Sequence, residues 1–155
     1  MAKVAVGKKV PAFSVQATGG RTVAAKDLAG RAFVLYFYPR DDTPGCTLEG
    51  QGFRDHYAKF RKLGVEILGA SRDTLASHEK FKAKYDFPFA LLADSDEKLC
   101  TLFDVIKDKN MYGKKVRGIE RSTFLFDADA VLRKEWRKVK VDGHVPQVLA
   151  AAQAL

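Results

Sequence analysis

The stretch RAFVLYFYPRDDTPGCTLEG, residues 31–50, decides how this chain is read. Its first half, RAFVLYFY, is an unbroken apolar run rich in aromatics, which suits a central strand covered on both faces. The second half changes character at once. Thr43 stands where a helix N-cap is expected, and Pro44 takes the first helical position, where a missing N–H costs nothing. A strand that turns directly into a helix places Cys46 in that helix's first turn.

A cysteine there has two readings. Free cysteine is commonly a small packed core residue, and Thr-Pro is then only a helix start. The other reading is a nucleophile, for which the sulfur must be a thiolate. The unpaired N–H groups and positive end of a helix N-terminus favour an anion. The Thr43 hydroxyl can point at the sulfur, Pro39 and Pro44 restrict the turn, and Gly45 leaves room for a small substrate. Attack of a thiolate on a peroxide O–O bond displaces hydroxide or alkoxide, so donors are needed where that charge develops. Backbone N–H groups, a threonine hydroxyl and a guanidinium supply them without metal or cofactor.

Working outward, AFSVQATGGRTV predicts a hairpin around Gly19-Gly20. Phe53, Tyr57 and Phe60 recur at helical spacing and give the helix after Thr43 an inward face. Gly50 and Gly52 weaken that helix and Gly64 ends it. VEILGAS (65–71) is a second buried strand, followed by a helix over 74–85 capped by Asp73. FALLA (89–93) is a short strand and DSDEKLCTLFDV a short helix. KDKNMYGKK is read as a charged loop. RSTFLF and VLRKEW flank a turn at 127–130, and the tail from about Pro146 is a terminal helix. The order β-β-β-α-β-α-β-α-β-β-α predicts an α/β fold, a central mixed sheet with helices on both faces.

The 155 residues suit one domain, 1–155, with no linker or repeat. MAKVAVGKKVPAF has no apolar core of a leader, and no run approaches a membrane span. Two cysteines are too few for a secreted disulfide framework, so a cytoplasmic protein is expected. The net charge of +8 is concentrated in residues 107–140, which hold eleven Lys or Arg against five Asp or Glu. Without a nucleic-acid motif, that excess is read as solvated surface. His56, His78 and His144 are scattered without metal-ligand spacing, so no metal is expected. Phe33, Tyr36, Phe37 and Tyr38 are assigned to the core or pocket lining, and Trp136 to edge packing or a cation–π contact.

Pro39, Thr43 and Cys46 also spell P-x-x-x-T-x-x-C, the active-site signature of peroxiredoxins. FYPRDDTPGCTLE, together with KNMYGKKVRGIERSTFLFD some seventy-five residues on, resembles the Q-type subfamily, also called bacterioferritin comigratory protein. The resemblance covers essentially the whole chain. It implies a thioredoxin-like fold and thiol-dependent reduction of hydrogen peroxide and organic hydroperoxides, with no cofactor. It further implies Cys46 as the peroxidatic nucleophile, oxidised to a sulfenic acid. Thr43 would bind peroxide and sulfur, and Arg121 would stabilise the thiolate and the developing charge. Pro39 would shield the sulfur, and Glu49 would orient the arginine.

The chain departs from that pattern at the resolving cysteine. Five residues after the nucleophile stands Gln51, and the following helix, around Lys82, carries no cysteine. Cys100 remains, between Leu99 and Leu102, read first as a packed core thiol and second as an atypical resolving residue. The favoured cycle therefore uses one cysteine and an external thiol, thioredoxin or glutathione with glutaredoxin, in a monomer. The alternatives are a two-cysteine cycle through Cys100, or a redox sensor that relays oxidation from Cys46 to a partner. A dithiol oxidoreductase is disfavoured because no C-x-x-C pair is present.

Overall fold

The computed structural model describes residues 4–155. The first three residues of MAKVAVGKKVPAF, and of the expected 1–155 domain, lie outside it. β1 (Ser14–Ala17) and β2 (Arg21–Ala24) form the expected hairpin, with Gly19 and Gly20 both at positive φ, 79° and 68°. RAFVLYFY forms β3 (Ala32–Phe37), and α1 (Pro44–Lys62) follows it. Then come β4 (Val65–Ser71), α2 (Leu75–Tyr85), β5 (Ala90–Ala93) and α3 (Lys98–Phe103). The chain continues as β6 (Ile106–Met111), β7 (Lys114–Ile119), β8 (Ser122–Phe126), β9 (Leu132–Trp136) and α4 (His144–Gln153).

Seven strands make one mixed sheet in the order β2-β1-β5-β4-β3-β8-β9. β3, β4 and β5 run parallel, while β1 and β8 join them antiparallel. The period of two along β3 divides the core. Phe33, Leu35 and Phe37 face a cluster with Leu99, Cys100 and Phe103 of α3. Val34, Tyr36 and the following Tyr38 face the opposite cluster, with Phe53 and Phe60 of α1, Phe81 of α2 and Val148 of α4. The helices thus cover both faces, as the apolar run of β3 required. All four aromatics of the run, Phe33, Tyr36, Phe37 and Tyr38, are fully buried.

The two glycines expected to weaken α1 have a packing reason. A Cβ on Gly50 would stand 2.4 Å from the Phe87 ring, and one on Gly52 3.0 Å from Val145. Their absence lets α1 lie close against Phe87 and α4. Gly64 follows α1 at φ 74°, with its N–H bonded to Arg61 O, the left-handed stop that glycine makes cheaply.

Three expectations change. KDKNMYGKK is not a loop but most of a second, two-stranded sheet, β6–β7, closed by Tyr112 and Gly113. Both turn residues have positive φ, 54° and 77°, the conformation that matches the twist of paired strands. α2 is capped by Thr74, whose Oγ1 accepts from Ser77 N at 3.2 Å. Asp73 is turned away, accepting from Asp41 N and Ser71 Oγ. α4 begins at His144, two residues before Pro146, which therefore sits in its first turn where it breaks no bond.

Trp136 makes both contacts considered for it. It packs edge-on against the His144 ring at 5.7 Å, with Lys134 Nζ 5.2 Å over its face. No described helix is long and apolar enough to cross a membrane.

Candidate active site

The switch from β3 to α1 carries Pro39, Thr43 and Cys46 in one turn. Thr43 has the extended backbone of an N-cap, and its carbonyl accepts the first helical bond, from Thr47 N at 2.9 Å. Its side chain does not cap the helix. Pro44 has no N–H, and helix geometry leaves those of Gly45 and Cys46 without a helical acceptor. Both therefore remain available at the turn that holds the sulfur. Cys46 is itself only 2% exposed.

Arg121, immediately ahead of β8, reaches this turn from across the sheet. Its Nη2 donates to Cys46 Sγ at 3.5 Å, and its Nη1 donates to Glu49 Oε1 at 2.7 Å. Glu49 lies one helical turn after Cys46, fully buried, with Oε2 lacking a partner among the described residues. Burial raises its carboxyl from 4.5 to about 7, with Arg121 pulling the other way. At Arg121, burial works against the charge, while Glu49 and Cys46 more than restore it and leave the guanidinium raised. A single guanidinium thus bridges the sulfur and a buried carboxylate, with the rigid fork suited to two partners at once. Gly45 makes room for it, since a Cβ there would be 3.1 Å from Nη2.

The structure brings Cys46, Glu49 and Arg121 into direct contact, and places Thr43 and the half-buried Pro39 in the same turn. The Thr43 hydroxyl differs from the sequence expectation. It donates to Arg40 O at 2.9 Å, and no hydrogen bond to the sulfur is present among the described residues. The carbonyl three residues back takes the proton because the turn folds it under the side chain. The Thr43 oxygen is left as an acceptor.

Cys100 is elsewhere. It lies in the core cluster on the α3 face of the sheet, whereas Cys46 belongs to the cluster on the α1 face. Burial first, then hydrogen bonding to Asp94, pushes its thiol well above the ordinary range.

Sequence spacing missed a polar network behind the turn. His78 is fully buried, with Nδ1 2.7 Å from Asp41 Oδ2 and Nε2 2.8 Å from Leu92 O. Asp41 also accepts from Tyr38 OH at 2.7 Å and from Ser77 Oγ at 2.8 Å. Asp41, Asp73 and His78 present ligand atoms within 4.8 Å of one another, so His78 is not without neighbours of metal-binding type. Those atoms are taken up by protein hydrogen bonds that tie the 38–43 turn to α2. Asp41 stands more than thirty positions ahead of Asp73 and His78, which hides the grouping from any motif.

A model of the AhpC/TSA family matches residues 6–135. The chain belongs to the AhpC/TSA family. A putative peroxiredoxin of Coxiella burnetii is 49% identical over 146 residues, 94% of this chain and 97% of that one. The peroxiredoxin Bcp of Xanthomonas campestris is 53% identical over 137 residues, 88% of this chain and 86% of that one. A solved structure of the Xanthomonas campestris bacterioferritin comigratory protein superposes with a TM-score of 0.87 at 51% identity. It covers 92% of this chain and 90% of that one, and is described as bearing on that protein's alkyl peroxide reduction activity. The fold is the thioredoxin-like fold of peroxiredoxins, and the chain is a thiol-dependent peroxidase. A peroxide is its substrate and a thiol its reductant.

Proposed function

We propose that this peroxiredoxin reduces hydrogen peroxide and organic hydroperoxides at Cys46 by a one-cysteine cycle. The Cys46 thiolate attacks one peroxide oxygen; an S–O bond forms and the O–O bond breaks. The sulfur becomes a sulfenic acid, and the departing hydroxide or alkoxide takes up a proton to leave as water or alcohol. The Gly45 and Cys46 N–H groups and Arg121 face the charge that moves onto the leaving oxygen. Thr43, its proton engaged by Arg40 O, accepts from the peroxide O–H. Glu49 is a positioning residue, fixing the guanidinium through the 2.7 Å bond from Nη1. Pro39 closes the turn against solvent. The alkyl peroxide reduction ascribed to the Xanthomonas campestris protein supports including organic hydroperoxides.

The observation that carries the cycle is the position of the two sulfurs on opposite faces of the sheet. A disulfide needs Cα atoms within about 7 Å, and Cys100 would have to leave its core to reach Cys46. An external thiol, from thioredoxin or from glutathione with glutaredoxin, therefore reduces the sulfenic acid. Cys46, Glu49 and Arg121 come from one chain, so we assign one catalytic domain working as a monomer. We assign it to a reducing cytoplasm, a compartment that keeps thiols such as these two free.

Cys100→Ser keeps most steady-state turnover in this reading, and Cys46→Ser abolishes it. A Cys100→Ser variant that stops turning over, while still consuming peroxide in a single turnover, would make Cys100 the resolving residue instead.

A further inference from the structure

Among the described residues, the β6–β7 hairpin is paired with itself alone, from Ile106↔Ile119 to Met111↔Lys114. Only its base enters the core, through buried Ile119 and the half-buried Ile106. Base included, its strands of six residues span roughly 20 Å. Such a hairpin is marginal alone in water, and it is anchored from the side. Arg117 makes two 2.7 Å bonds to the Glu97 carboxylate, which Arg72 joins at 3.0 Å. Lys109 Nζ donates to Ile119 O across the base. The outer half is uncommitted. Tyr112 is 99% exposed and Met111 51%, with Lys114 and Lys115 exposed beside them.

Lysines on a free strand edge are commonly guards against pairing with another copy. That accounts for the charges but not for a tyrosine and a methionine held out at the tip, side chains that protein interfaces favour. The position of the arm matters as well. β7 ends at Ile119, and Arg121, the donor to Cys46, follows two residues later. A Cβ on Gly118 would lie 3.8 Å from Arg72 Nη2 and 3.9 Å from Lys109 Nζ, so two basic groups gather at the foot of the arm. Residues 106–119 hold five Lys or Arg and one Asp.

We propose that this hairpin is the docking arm for the reductant, and that the reductant is an acidic dithiol protein. The inference rests on the one-cysteine cycle, which requires a thiol brought to Cys46 from outside. One partner thiol attacks the sulfenic sulfur, forming a mixed disulfide and releasing water. The second attacks its neighbour in that disulfide and frees Cys46 as the thiolate, leaving the partner oxidised to a disulfide. Opposite charge raises the rate of encounter, and Tyr112 with Met111 gives the apolar contact that follows.

The test uses the full chain, a thioredoxin of net negative charge recycled by its reductase and NADPH, and dithiothreitol as a small control. In the double variant Lys114→Glu, Lys115→Glu, the KM for thioredoxin rises about tenfold, and in Tyr112→Ala it rises several-fold. Dithiothreitol-supported turnover stays at the wild-type level in both, which also shows that they fold. The wild-type kcat/KM for thioredoxin falls with added salt, and the double variant loses that dependence. An unchanged thioredoxin KM in both variants overturns the proposal. So does mixed-sequence duplex DNA binding that these substitutions abolish while the KM stays fixed, since the arm then serves nucleic acid. Failure of the one-cysteine cycle is read separately, from Cys100→Ser with dithiothreitol. A KM rise in the arm variants supports docking whichever way that control falls.

Discussion

The space over Gly45 belongs to Arg121: a Cβ at residue 45 would meet Nη2 at 3.1 Å, the same atom that donates to Cys46 Sγ at 3.5 Å. A glycine in the first turn of a helix is usually a weakness. Here it sets how near a guanidinium can come to the sulfur.

Gly45→Ala therefore acts on chemistry before stability. The clashing atom is the far end of a flexible side chain, which moves aside at little cost to the fold. A shift of a few tenths of an ångström lengthens the 3.5 Å contact of the guanidinium with the sulfur, and weakening that charge-assisted bond slows the peroxide step several-fold. Stopped-flow peroxide consumption and a urea melt of the same variant check this. The rate falls while the melting midpoint holds.

Gly50→Ala has the opposite signature. Its Cβ would press into the Phe87 ring at 2.4 Å, and that ring is fixed by stacking on Phe89 at 5.3 Å and edge contact with Phe81 at 5.0 Å. Alanine gains about 1 kcal/mol of helix propensity, but overpacking costs roughly 1–3 kcal/mol, and the packing loss wins. Urea denaturation is expected to show a net destabilisation, with the peroxide rate of the folded fraction retained.

Glu49 and His144 make stability depend on pH in opposite ways. Burial raises the Glu49 carboxyl from 4.5 to about 7. Across that window the folded chain keeps a proton the unfolded chain has lost, so this contribution is full below the window and declines as pH rises through about 7. Burial first, and Arg121 second, lower His144 from 6.5 to about 4. Its contribution is full above 6.5 and is lost as pH falls through that lower window. Glu49→Gln keeps an acceptor for Arg121 and removes the carboxyl titration. Relative to wild type, the variant should therefore gain stability between about pH 5 and pH 8, by an amount on the order of 3 kcal/mol. Urea midpoints of the two proteins measured across this range check it, and parallel curves would contradict it.

Much of the fold is legible because the apolar pattern is unambiguous where the core is thick. β3 and β4 read as buried strands, and Thr-Pro ahead of Cys46 marks the start of α1. The β6–β7 hairpin is hidden because IKDKNM and KKVRGI have no buried face and hence no alternation. Its turn signal, Tyr112-Gly113, is weaker than Asn-Gly. The Cys46–Arg121 contact spans seventy-five residues and is invisible to spacing, so only the family resemblance pointed to it. The buried Asp41–His78 pair was missed for the same reason, without a resemblance to supply it. Asp73 was misread as a cap because the chain position alone does not say which backbone group a carboxylate will face.

Trapping the first oxidised species tests the assignment of the nucleophile most directly. The wild-type protein, treated with an equimolar amount of hydrogen peroxide in the presence of dimedone and then mapped by peptide mass, should carry the adduct on Cys46 and none on Cys100. An adduct on Cys100, or an unlabelled chain joined by a Cys46–Cys100 disulfide, would contradict the account.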